Sequence, residues 1–242
     1  MIKPRPDSFE KGKGGANYIL YMSKNRQKRK SKNWNDRQNR DQFVKRARAE
    51  GYRGRAVYKL SEINEKYRLI RPQSVIVDLG CAPGSWCQYV SKTIPGSKQI
   101  LGVDLLPMDP VENVRFIQGD FTSQEILAEI QEYLKDRNLD LVLSDMAPNI
   151  TGIREIDQAR AEQIQQSVIA FCDQNLKSGG HLLTKVFEGE AASYMKKQMA
   201  KRFKQVQPIK PLASRSESKE LFLLARNYLL PNQTNNGIKE QC

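Results

Sequence analysis

The sequence predicts an α/β fold, a mostly parallel sheet with helices on both faces, and three observations carry that prediction. Short apolar runs of strand length alternate with segments of helical spacing between residues 75 and 225. The first run ends in a turn through Gly80, Pro83 and Gly84, which opens onto a helical pattern of Trp86, Tyr89, Val90 and Ile94. Acidic residues, Asp78, Asp104, Asp120 and Asp145, recur at the ends of successive runs, and parallel topology would set all four along one rim.

Taken in order, residues 1–35 are rich in Lys, Arg, Asn, Gly and Ser and read as a basic, mobile extension with one less polar patch, ANYILYM. Residues 36–50 predict a strongly basic helix, and Gly54 separates it from a second helix, 56–66, whose Val57, Leu60 and Ile63 face a core. Pro72 precedes the first strand, 75–79, and the helix 85–93 stops at Pro95 and Gly96. Strand 99–103 ends in Asp104. Strand 114–118 ends in Gly119 and Asp120, with Thr122 or Ser123 capping a helix that runs to about Lys135. Strand 139–144 leads into Asp145 and the loop MAPNITG. A long helix, 159–175, the turn SGG, strand 181–187, helix 191–202 and late strands 203–209 and 220–225 complete the set. The main domain is thus 36–230, followed by a polar tail, 231–242.

Length allows one sizeable core. The net charge of +13 is segregated: residues 1–60 hold 18 Lys or Arg against 5 Asp or Glu, and the remainder holds 22 of each. A basic arm on a charge-balanced body points to a polyanion, nucleic acid first, because neutralising phosphates dominates such affinity. The alternatives are a solubilising tail or a membrane-surface arm, and the latter needs a sustained apolar face that these residues lack. No run approaches the roughly 18 apolar residues of a membrane span. The opening residues also lack the apolar stretch of a signal peptide, so the expectation is a cytoplasmic protein without membrane contact. Cys81, Cys87, Cys172 and Cys242 form no CxxC pair and make a poor zinc set with the single His181, so no metal is expected.

The turn after the first strand matches neither the phosphate loop GxxxxGK[ST] nor the dinucleotide loop GxGxxG. A nucleoside-like ligand without phosphates fits it best, S-adenosylmethionine being the common one. Another nucleotide-binding fold, or a glycine turn with no ligand, stays open on this stretch alone. Asp104, 20 residues beyond Gly84, is placed to accept from both ribose hydroxyls, and Asp120 from an exocyclic amine. Each carboxylate alone also reads as a turn or cap residue. Lys185 interrupts the apolar strand LLTKVF and must reach a partner or solvent. Lys59 in AVYKLSEI lies beside core positions and either projects to the rim or lines a solvated face. Glu220 opens the last strand, as a functional carboxylate or an edge residue.

These motifs together, DLGCAPGSWCQYV, VDLLPMDP, FIQGDF, SDMAPNITG and TKVFEGE, resemble the FtsJ/RrmJ family of 2'-O-ribose RNA methyltransferases over roughly residues 34–230. The similarity is greatest to the bacterial form acting on the A-loop uridine of large-subunit ribosomal RNA. It implies a Rossmann-like class I methyltransferase fold, a seven-stranded sheet with an antiparallel seventh strand, and S-adenosylmethionine as donor. It also implies a Lys-Asp-Lys-Glu catalytic set, falling here on Lys59, Asp145, Lys185 and Glu220. Donor-binding positions fall on Gly80, Pro83, Gly84, Trp86, Asp104, Asp120 and Asp145. Large-subunit rRNA, within the subunit or a late precursor, becomes the expected partner of a monomer, with the basic N-terminal segment as an RNA contact. Ser85 stands where the bacterial form has glycine, and the first 33 or so residues exceed that form. A transfer RNA ribose methyltransferase of the same family, or a non-catalytic RNA-binding ribosome-assembly protein, are the alternatives.

Overall fold

Strand β1, Ile76–Leu79, is buried at every position, as a strand flanked on both sides and covered on both faces must be. The computed structural model describes residues 41–230 except 98, 136, 149, 150, 216 and 217. The predicted extension 1–35, the first residues of the predicted basic helix and the tail 231–242 lie outside the described residues. Around β1 the chain builds β2 (Ile100–Asp104), β3 (Val114–Gln118), β4 (Leu139–Ser144), β5 (Leu176–Phe187), β6 (Phe203–Ile209) and β7 (Glu220–Tyr228). The sheet order is β3-β2-β1-β4-β5-β7-β6. Strands β1 to β5 pair in parallel, and β7 runs antiparallel to both β5 and β6. Because β2 and β4 flank β1, the strand order reverses there. That is the switch point where open α/β sheets bind ligands.

The helices are α1 (Gln42–Ala49), α2 (Val57–Tyr67), α3 (Ser85–Thr93), α4 (Gln124–Leu134), α5 (Arg154–Asn175) and α6 (Glu190–Ala200). Alternation along the strands splits the core. Val77, Leu79, Leu182 and Val186 pack with Ile130, Val168, Phe171, Met195 and Met199, on the face of α4, α5 and α6. Ile76, Leu143, Leu183 and Phe222 pack with Leu60, Ile63, Trp86 and Val90, on the face of α2 and α3. Asp41 caps α1 by accepting from the backbone N–H groups of Phe43 and Val44, and Ser123 caps α4 by accepting from Ile126.

Three expectations are corrected. The SGG segment is no turn between helix and strand but a bulge inside β5: Leu139 pairs with Leu176 and Leu141 with His181, so the extra residues loop out while Leu176 stays buried. Strand β7 continues to Tyr228, whose ring is buried and whose hydroxyl donates to Asp173 at 2.8 Å.

Asp78, expected on the rim, lies within β1 opposite Gly102 and Leu143, 2% exposed. Burial pushes its carboxyl from an ordinary 3.8 up to about 8, only partly offset by the hydrogen bond it accepts from the Cys87 thiol, and the charges of Asp145 and Asp104 add to the rise. The native state therefore keeps this proton between those values while the unfolded chain loses it. On this group's account stability falls as pH rises from about 4 to about 8. Asp78→Asn, isosteric with the acid form, should gain on the wild type by up to about 3 kcal/mol between pH 6 and 9. Urea midpoints at the two pH values measure this, and a constant gap between the two proteins would show that Asp78 is already ionised at pH 6.

Candidate active site

The loop leaving β1 is shaped by side chains that cross it. Gly80 has φ +74°, and a Cβ there would meet the Met146 side chain. Gly84 has φ +103°, and a Cβ there would lie 2.7 Å from both Arg53 Nη1 and Met108 Sδ. Both backbones occupy the left-handed region that only glycine adopts freely. Asp104, at the end of β2, ties this loop to the next: Oδ2 accepts from the Ala82 N–H at 2.8 Å and Oδ1 from the Leu106 N–H at 2.8 Å. Each oxygen keeps a second lone pair for a ligand. Asp120 closes a turn, accepting from the Thr122 N–H and hydroxyl at 2.9 and 2.7 Å. Trp86 is 3% exposed, its ring 5.7 Å from that of Phe222 and its N–H donated to the Ala56 carbonyl at 2.8 Å. Its side chain braces the loop from the core.

The four charged positions singled out in the sequence form two pairs beside this loop. Asp145 follows Ser144, which is in register with Leu79 on one side and Thr184 on the other, so it stands level with Gly80 and Lys185. Lys185 Nζ lies 2.8 Å from Asp145 Oδ1 and donates to the Asp145 backbone carbonyl at 2.6 Å. Lys185, Phe187, Glu220 and Phe222 share the sheet face covered by α2, since Lys185 opposes Phe222 and Phe187 opposes Glu220. From α2, Lys59 reaches Glu220 Oε1 at 2.6 Å, with its ammonium 5.7 Å from the Phe222 ring centre. Lys59 is 8% exposed. Burial alone would raise the Glu220 carboxyl, yet the hydrogen bond from Lys59 and the charges of Lys59 and Lys185 hold it below its ordinary value. The site thus contains two cations and two carboxylates, each cation within contact of a carboxylate.

A nucleoside donor bearing a carboxylate and a ribose suits the residues present. No side chain caps α3, which leaves its N-terminus open to a carboxylate. Ser85 Oγ is buried without a hydrogen-bond partner among the described residues. A Cβ on Gly54 would meet Ser85 Oγ at 2.9 Å, so the hydroxyl fills space that a bare glycine at 54 leaves. Asp157, which the sequence did not single out, anchors the loop after β4 by accepting from the Thr151 N–H and hydroxyl and the Gly152 N–H. Its acidic side chain three residues into a helix is a first-turn signal that could have been read. Arg53, Met108 and Met146 were also missed; all contact the loop through atoms with no local sequence signature.

A seven-stranded sheet with an antiparallel β7, a glycine turn at its switch point and charged residues gathered at the strand ends is the arrangement of a Rossmann-like methyltransferase. The chain belongs to the FtsJ-like methyltransferase family, whose model matches residues 52–228. Ribosomal RNA large subunit methyltransferase E of Azoarcus sp. is 49% identical over 194 residues, 80% of this chain and 95% of that protein. The protein of the same name from Legionella pneumophila is 47% identical over 200 residues, 83% of this chain and 97% of that one. A crystal structure from Plasmodium falciparum, described as a ribosomal RNA methyltransferase, superposes with a TM-score of 0.67 at 31% identity, covering 74% of this chain and 99% of that one. Among the described residues no helix is long and apolar enough to cross a membrane.

Proposed function

We propose that this methyltransferase acts on the 2'-hydroxyl of a uridine ribose in the A-loop of large-subunit ribosomal RNA, with S-adenosylmethionine as donor. The observation that carries this reading is the meeting of the Lys185–Asp145 and Lys59–Glu220 pairs at the ends of β4, β5 and β7, beside the loop of Gly80 and Gly84. The name shared by the relatives supports the choice of RNA.

Gly80, Pro83, Gly84, Trp86, Asp104 and Asp120 hold the donor, Trp86 through the backbone at the start of α3, with Asp145 at its edge. When bound, the donor supplies an electrophilic methyl group on a sulfonium. A neutral hydroxyl attacks poorly, so its proton must leave as the new bond forms. Lys185, having first released a proton to solvent so that its nitrogen carries a lone pair, receives that proton. The Asp145 carbonyl and carboxylate aim its nitrogen and stabilise the ammonium it becomes. Lys59, held by Glu220, places a second positive charge near the oxygen as negative charge develops there. Lys45, Arg46 and Arg48 of α1, with the basic segment before it, contact phosphates and carry the target ribose to the site. The protein works as a monomer in the cytoplasm, on the subunit or a late precursor.

Mapping 2'-O-methyl groups by mass spectrometry in RNA from cells lacking the protein tests the target. Loss of one A-loop uridine methyl supports it, whereas loss confined to transfer RNA moves the enzyme to another substrate. Calorimetric titration with S-adenosylmethionine tests the donor, and no heat would reduce the chain to an RNA-binding module. The apparent second-order rate on RNA should fall at least about 100-fold between roughly 50 and 200 mM salt, as expected when several phosphates are neutralised. A flat response would remove the basic segment as the anchor.

A further inference from the structure

The two loops proposed to hold the donor, 80–84 after β1 and 105–110 after β2, are joined at three places. One joint is Asp104, which takes an N–H from each loop at Ala82 and Leu106. A second is the Cys81 thiol, which donates to Met108 Sδ at 3.8 Å, and the third is Arg53, from the segment between α1 and α2. Its Nη1 donates to the Pro83 carbonyl at 3.0 Å and the Asp109 carbonyl at 2.7 Å, and Nη2 donates to the Pro110 carbonyl at 2.8 Å. Three carbonyl dipoles from two loops thus converge on one guanidinium, an arrangement that repels itself without the cation. The glycine at 84 is what admits the guanidinium this close to the loop. The arginine is itself anchored, since its N–H donates to Gln88 Oε1 at 2.9 Å and Gln88 Nε2 donates back to the Gly51 carbonyl at 3.2 Å.

We propose that Arg53 is a positioning residue for the methyl donor: it staples the 80–84 and 105–110 loops from outside, as Asp104 does from within, and fixes the width of the cleft before the donor arrives. This rests on the reading of that cleft as the donor site. The staple acts through preorganisation, because loops already ordered need not be ordered on binding. A lysine keeps the charge but not the planar fork that reaches both loops, so Arg53→Lys does not replace it.

The test is calorimetric titration of S-adenosylmethionine into the full-length protein without RNA, for wild type, Arg53→Lys and Arg53→Ala. The staple predicts a donor Kd raised at least about 10-fold in both variants, with kcat at saturating donor and RNA within about 3-fold of wild type. It also predicts faster amide hydrogen exchange at Leu105, Leu106 and Met108 in the donor-free variants, a readout that survives if Arg53→Ala folds poorly, since Arg53→Lys is read the same way. Unchanged donor affinity in both variants overturns the proposal. So does a loss confined to RNA affinity with a salt slope smaller by about one, which makes Arg53 a phosphate contact. Absence of donor binding in the wild type would instead overturn the reading of the cleft, and that outcome is distinct from both.

Discussion

Replacing Lys185 with alanine is expected to lower the rate of methyl transfer by roughly 10²- to 10⁴-fold at saturating RNA and donor, the range for loss of a general base. The structure makes the change local. Lys185 is held by the backbone carbonyl and carboxylate of Asp145, and its strand neighbours Thr184 and Val186 are buried independently of it. On the proposed assignment, donor affinity stays within a few-fold of wild type, because the donor-holding positions lie on the loops after β1, β2 and β3. Single-turnover methylation of ribosomal subunits with labelled donor separates this step from binding. Near-normal turnover would remove Lys185 from the chemistry and leave it as a partner for Asp145.

The second large effect is on stability. Glu220→Gln leaves Lys59 buried against a neutral amide, and removing one member of a buried pair typically costs about 3–5 kcal/mol. Both side chains are well shielded, 10% and 14% exposed, so the range applies with little reduction for solvent screening. The pH dependence has a definite sign. Because the Glu220 carboxyl is held below its ordinary 4.5 in the folded protein, the unfolded chain binds more protons just below that value. The pair's contribution is therefore present above about pH 4.5 and is lost as pH falls through the lower, folded value. Chemical denaturation between pH 3 and 7 should show the gap between wild type and Glu220→Gln narrowing toward acid. A gap that stays constant over this range would mean that Glu220 titrates alike in the two states.

Strands β1, β2 and β4 were legible because their nearly continuous apolar runs leave few other readings, and β3 because Val114, Phe116 and Ile117 keep enough of one. The SGG bulge was not, since its signal is that of a turn, and only the burial of Leu176 beside Leu139 keeps the strand intact across it. Asp78 was misplaced for a related reason: an acidic residue one position inside a strand looks like one at its end until the partners on both sides are known. A lysine within a buried strand announced that Lys185 needed a partner. Which partner depends on the β4–β5 register, a relation between segments some forty residues apart that local pattern does not contain. Arg53 gave no signal at all, because its acceptors are backbone carbonyls, identical in every residue type.

The two ion pairs at the strand ends balance each other, while the surplus of positive charge in the sequence lies ahead of residue 61. On the proposed reading of that surplus as the RNA anchor, capture draws mainly on residues ahead of α2, while the chemistry also enlists Lys59 from the same basic stretch. The same reading makes the leader exchangeable: one transplanted from another RNA-binding chain should change which transcript is captured and leave the donor site as it is.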